Sequence, residues 1–153
     1  QKSPYYSWYQ FYSWPGNYNS WWGFDTLPTV NKLDPAFVEY IITGEDSVIA
    51  HWLNAGADGF RLDVADELPD EFIKILRDRI KEINPDAYLL GEVWEDASNK
   101  KAYGKRRRYF TDGELDSVMN YPFRTAILDF MRGWDSGRGF KETVMSIVEN
   151  YPR

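Results

Sequence analysis

Three ionisable residues stand where short apolar runs give out. Arg61 and Asp63 belong to Gly59-Phe60-Arg61-Leu62-Asp63-Val64-Ala65, and Glu92 to Tyr88-Leu89-Leu90-Gly91-Glu92-Val93-Trp94. Residues two apart in a strand project to one side, so Arg61 and Asp63 face together. A lone carboxylate is costly to desolvate, and Arg61 offers the charge that keeps Asp63 ionised, as a nucleophile must be. Glu92 ends the second run, with Trp94 on its side. Carboxylates from adjacent strand ends are what a retaining glycosidase needs, about 5–5.5 Å apart. One attacks the anomeric carbon; the other gives a proton to the leaving oxygen and later takes one from water. The alternative is a structural Arg61–Asp63 ion pair beside a solvated Glu92. Spacing alone leaves both open.

The surrounding pattern says what positions these groups. Asp34-Pro35 reads as an N-cap and a first-turn proline, with Val38, Ile41 and Ile42 on one face. Gly44 interrupts, and Val48, Ile49, Trp52 and Leu53 resume the face up to Gly56. A helix from Leu68-Pro69-Asp70-Glu71 carries Phe72, Ile73, Leu76, Ile80 and Ile83 on one side and stops at Asn84-Pro85. A polar loop leads to Gly113, and Leu115–Met119 is a third strand-like run. Phe123, Ile127, Leu128 and Met131 pattern one more helix, and Phe140, Val144, Ile147 and Val148 another. Strand starts at 59, 88 and 115 fit parallel βα units. An open doubly wound sheet would bring a glycine-rich phosphate loop, and neither such motif is present. The remaining architecture is a (β/α)8 barrel, which places catalytic groups at the C-terminal ends of its strands. A whole barrel takes about 250 residues, so an incomplete one is expected, with the expected segments at 1–33 and 34–153.

Composition closes off other classes. The 153 residues carry a net charge of −6, which argues against a nucleic-acid partner. The basic run Lys100, Lys101, Lys105, Arg106, Arg107 and Arg108 is expected to be a solvated loop. No run approaches the roughly 18 apolar residues of a membrane span. With no Cys and a single His, thiolate metal sites, Cys nucleophiles and multi-His zinc sites are excluded. Eleven of the 27 aromatic residues fall within residues 1–24, among Pro, Gly, Asn and Ser, with no lasting period. This is an irregular excursion whose rings either pack on one another or face a sugar. The chain opens on Gln1 without a signal-peptide pattern and stops at Arg153, and is expected to be a segment of a longer protein.

These motifs resemble the α-amylase family of glycoside hydrolases. Gly59–Ala65 looks like its strand-four motif, which makes Asp63 the nucleophile and Arg61 its partner. Gly91-Glu92-Val93-Trp94 looks like its strand-five motif, which makes Glu92 the acid/base. Trp21-Trp22-Gly23-Phe24 and Leu27-Pro28-Thr29-Val30-Asn31 resemble the segment leaving domain B, the excursion after strand three. Asp116-Ser117-Val118-Met119-Asn120-Tyr121-Pro122 resembles the strand-six region of the neopullulanase, cyclomaltodextrinase and maltogenic-amylase branch. The implied fold is α/β: part of a (β/α)8 TIM barrel, about strands 4 to 6, preceded by part of domain B.

The implied activity is retaining hydrolysis of an α-glucan (starch, maltodextrin, cyclodextrin or pullulan). Asp66, Glu67, Trp94, Asn120 and Tyr121 join Arg61 as expected substrate contacts. No cofactor is required, no metal ligands are expected here, and a structural calcium belongs elsewhere in the parent protein if present. The Asn-His-Asp motif that brings the family's third acid has no counterpart, nor do its strand-three Asp and Asn-His pair. Glu95 stands where the branch often has His. The isolated chain is therefore expected to be inactive, and to self-associate through exposed barrel edges. An α-glucanotransferase on the same site, or a non-catalytic α-glucan-binding homologue, are the alternatives.

Overall fold

The structure, a computed structural model, describes residues 3–152; residues 1, 2 and 153 of the expected segments lie outside it. Two compact units divide the chain, Gln1–Gly56 and Ala57–Arg153.

The first unit is built on ring packing. A short antiparallel hairpin pairs β1 (Phe11–Ser13) with β2 (Asn17–Tyr18). Tyr6 stacks on Phe11 at 5.0 Å between ring centres, and Trp14 meets Phe11 edge-on at 4.6 Å. Asn31 ties the segment back on itself, its side-chain amide donating to the Ser7 carbonyl at 2.7 Å. Asp34 caps α1 (Pro35–Val38), its Oδ1 accepting from the Ala36 and Phe37 amides. A wider turn over Glu39–Thr43 follows, and Ser47 caps α2 (Val48–Asn54). Ile42, Ile49, Ala50 and Leu53 are buried, as their spacing predicts. Trp8 packs against both Phe37 and Tyr40, tying the ring-rich segment to the helical one that follows.

The second unit holds three parallel strands in sequence order: β3 (Gly59–Leu62), β4 (Tyr88–Gly91) and β7 (Ser117–Val118). This is an arc of a barrel, not a closed one. Gly59 has φ +154°, and a Cβ there would lie 2.0 Å from the Tyr88 carbonyl oxygen, so only glycine lets β3 approach β4 so closely. Between them runs α3 (Asp70–Ile83), which buries Phe72, Ile73, Leu76 and Ile80, while β4 contributes buried Leu89. Asn84 ends the helix as expected.

The structure departs from the sequence reading in three places. The strands are shorter than their apolar runs; β3 stops at Leu62 because Val64 turns left-handed and a tight helical turn follows over Ala65–Glu67. The expected polar loop contains a small hairpin, β5 (Lys101–Ala102) and β6 (Lys105–Arg106). The basic run is not wholly solvated: Arg107 is buried, because it donates to the Asp66 and Leu68 carbonyls and pairs with Asp70 at 2.8 Å. Two helices close the unit, α4 (Tyr121–Met131) and α5 (Gly137–Asn150), joined by Phe130 against Phe140 at 5.2 Å. Met131 and Val148, expected on apolar inner faces, are exposed.

Candidate active site

The two motifs meet through one guanidinium. Parallel pairing sets Leu62 beside Gly91, so the residues that follow each strand emerge together. There Arg61 Nη1 donates to Asp63 Oδ1, and Arg61 Nη2 lies 2.8 Å from Glu92 Oε1. One planar fork thus holds both carboxylates, which makes the two acids close neighbours. Asp63 is open to solvent, with 74% of its side chain exposed, while Glu92 is buried at 8%. The two carboxylates thus differ sharply in their access to solvent.

Glu92 is surrounded by donors. The Val64 amide donates to Oε2 at 2.9 Å, and the Tyr121 hydroxyl donates to Oε1 at 3.0 Å. Its pKa falls below the ordinary value, mainly through the Val64 amide; burial opposes this, and Trp94, Tyr121 and Arg61 reinforce it. Tyr121 is pushed the other way by the same hydrogen bond, so it remains a neutral donor. Arg61 also directs Nη2 at the Met119 sulfur, 3.8 Å away.

The other expected contacts divide. Trp94 is 45% exposed beside Glu92. Asp66 is already engaged: it accepts from the Tyr109 hydroxyl and pairs with Lys100 at 3.0 Å. Burial pulls the Lys100 pKa down, but Glu95 and Asp66 outweigh it and hold the ammonium charged. Glu67 accepts from the Tyr103 hydroxyl. Asn120 caps α4, its Oδ1 accepting from the Phe123 amide at 3.0 Å. Tyr121 touches the carboxylate of Glu92 and so acts on an acid that the sequence had already singled out. Val64, Met119, Tyr103 and Arg107 are neighbours of the site that sequence reasoning missed. Among the described residues, no group of three or more His, Cys, Asp or Glu is placed to hold a metal ion, and no helix is long and apolar enough to cross a membrane.

The family model "Alpha amylase, catalytic domain" matches residues 2–151. An amylopullulanase of Thermoanaerobacterium saccharolyticum is 35% identical over 98% of the chain, which spans 13% of that protein. A cyclomaltodextrinase of Thermoanaerobacter pseudethanolicus is 36% identical over 85% of the chain and 22% of its own length. Among solved structures, the cyclic α-maltosyl-(1→6)-maltose hydrolase of Arthrobacter globiformis superposes with a TM-score of 0.82 at 25% identity, covering 98% of this chain and 33% of that one. The chain therefore spans a minor part of each relative.

Proposed function

This chain belongs to the α-amylase family, and we propose on that premise that it supplies the nucleophile and the acid/base of a retaining α-glucan hydrolase. The observation that carries the reading is the Arg61 fork joining Asp63 and Glu92. In the first step Asp63 attacks the anomeric carbon and forms a glycosyl ester, while Glu92 protonates the departing glycosidic oxygen. In the second, Glu92 takes a proton from water, which attacks the same carbon and releases Asp63. Arg61 orients Asp63 and balances its charge.

The lowered pKa of Glu92 belongs to the unliganded site, which therefore rests in the form suited to the second step. Substrate entry excludes water, and the added desolvation of the carboxylate favours the protonated Glu92 that the first step uses. Both steps use protein carboxylates alone and need no cofactor. A structural calcium elsewhere in the protein would leave them unchanged. The third acid that stabilises the oxocarbenium-like transition state comes from outside these residues, so the isolated chain is inactive. Among the described residues, strands β3 and β7 each pair on one side only. The isolated chain self-associates through these edges, and light scattering showing a stable monomer would refute that.

The direct test is to trap the ester. A 2-deoxy-2-fluoro or 5-fluoro α-glucosyl fluoride incubated with the whole protein labels one residue stoichiometrically. Peptide mass spectrometry is expected to find the label on Asp63. Hydrolysis of α-glucans with the label on another residue, or with inverted configuration, would overturn the assignment.

A further inference from the structure

The guanidinium that joins the two acids has a third neighbour. Arg61 Nη1 donates to Asp63, and Nη2 lies 2.8 Å from Glu92 Oε1 and 3.8 Å from the Met119 sulfur. Met119 follows directly on β7, and backbone bonds fix its place. Its amide donates to the Gly91 carbonyl at 2.9 Å, and its carbonyl accepts from the Tyr121 amide at 3.0 Å. Tyr121 in turn donates its hydroxyl to Glu92. The sulfur is thus held against the same nitrogen that serves the acid/base. A thioether is a weak acceptor and competes little with a carboxylate. Oxidation changes that: the sulfoxide is polar and carries a strong acceptor oxygen. The chain has three methionines. Met131 and Met145 are exposed, at 75% and 44%, on α4 and α5, where an added oxygen meets water. Met119 is half-buried and faces Arg61.

We propose that Met119 is an oxidative modification site through which a peroxide switches the active centre off. Hydrogen peroxide passes one oxygen to a lone pair of the sulfur. The O–O bond breaks, an S–O bond forms, the sulfur gives up two electrons, and the second oxygen leaves as water with both peroxide hydrogens. An oxygen on the sulfur fills the 3.8 Å separation and brings an acceptor within hydrogen-bond range of Nη2, about 2.7–3.2 Å. The rotatable bonds of the methionine side chain let that oxygen turn toward the guanidinium. It takes Nη2 from Glu92 and twists the fork off Asp63. The nucleophile loses the partner that orients it, and the acid/base loses a cation. Both effects follow from one two-electron change, and both are reversible, because methionine sulfoxide reductases restore the thioether. The loss of activity rests on the retaining α-glucan reading; the capture of Arg61 does not.

The test treats the whole protein with hydrogen peroxide and follows maltoheptaose hydrolysis alongside peptide mass spectrometry. Activity is expected to fall in step with oxygen uptake at Met119, by at least about tenfold in kcat/KM once that residue is fully oxidised. It is expected to return with methionine sulfoxide reductases A and B. Each variant is read against its own untreated sample. Met119→Leu conserves volume and removes the sulfur, and is expected to keep its activity through the treatment. Met131→Leu is expected to be inactivated like the parent. Carboxyl carbon NMR gives a second readout: the Glu92 midpoint is expected to rise when the parent is oxidised and to stay in place in Met119→Leu. A Met119 that resists peroxide, or one that oxidises while activity or the Glu92 midpoint stays unchanged, overturns the proposal. So does a Met119→Leu variant inactivated as fast as the parent. An untreated protein that leaves α-glucans uncut refutes the α-glucan reading instead, and the Glu92 midpoint then decides this proposal by itself.

Discussion

The backbone amide of Val64 donates to Glu92 Oε2 at 2.9 Å, and Val64 holds φ +41° and ψ +64° as it does so. A β-branched residue is an outlier in that region, at a cost of order 1–3 kcal/mol. The chain turns out of β3 there, which ends the strand early and aims the amide across at the neighbouring strand's acid.

That strain is measurable. Val64→Gly keeps the amide and removes the Cβ, whereas Val64→Ala keeps the Cβ and its left-handed penalty. Glycine is normally the less stable of the two. Here the Val64→Gly variant is expected to exceed the Val64→Ala variant in stability by about 1 kcal/mol, read from denaturant midpoints at constant slope. The usual order, alanine above glycine, would refute the strain.

Arg61 acts on Glu92 by charge, behind the Val64 amide and against burial. Because the folded pKa lies below the ordinary 4.5, the ionised carboxylate stabilises the fold above that pH, and the contribution is lost as pH falls through the folded value. Arg61→Met is expected to raise the Glu92 midpoint, so the contribution shrinks and its loss on acidification is complete at a higher pH. Carboxyl carbon NMR of the parent and the variant decides it, and an unmoved Glu92 midpoint would remove Arg61 from the account.

Glu114 has the opposite sign. Its carboxylate is fully buried with neither oxygen hydrogen-bonded, and Arg108 Nε is 3.8 Å from Oε1. Burial, then the charge of Asp70, raises its pKa to about 7, while Arg108 and Arg107 pull it down. Between 4.5 and about 7 the folded state keeps a proton that the unfolded chain releases, so stability falls as pH rises through that window. Glu114→Gln is expected to match the parent near pH 4 and to exceed it by about 2–4 kcal/mol at pH 8. An equal difference at both pH values would exclude the titration of Glu114 as its source.

The alternation of apolar runs and amphipathic helices made the parallel strands legible, and with them the meeting of Asp63 and Glu92. Val64 was not legible, since its propensity is for extended backbone and tertiary geometry overrides it. Arg107 was hidden among six similar cations; a charge run does not say which member turns inward, and Asp70, which it pairs with, is distant in sequence. The capping role of Asn120 was readable too. An Asn before Tyr121-Pro122 is a helix start, and the side chain spends its oxygen on the Phe123 amide.

The last prediction separates the two acids in the whole protein. Asp63→Ala removes the nucleophile, so no glycosyl-enzyme forms from any substrate. Glu92→Ala removes proton transfer alone, a loss of about 10²–10⁴-fold on ordinary glucans. An α-glucosyl fluoride leaves without protonation, so its first step is expected to survive in Glu92→Ala and to vanish in Asp63→Ala. The intermediate then accumulates in the Glu92 variant, because no base activates water. Azide needs no base, and is expected to restore turnover there with a glycosyl azide of retained configuration. Were the fluoride equally dead in both variants, the roles would be wrong. Were azide to rescue Asp63→Ala with retention, they would be exchanged, since a retained product requires that the missing residue was never the one attached to the sugar.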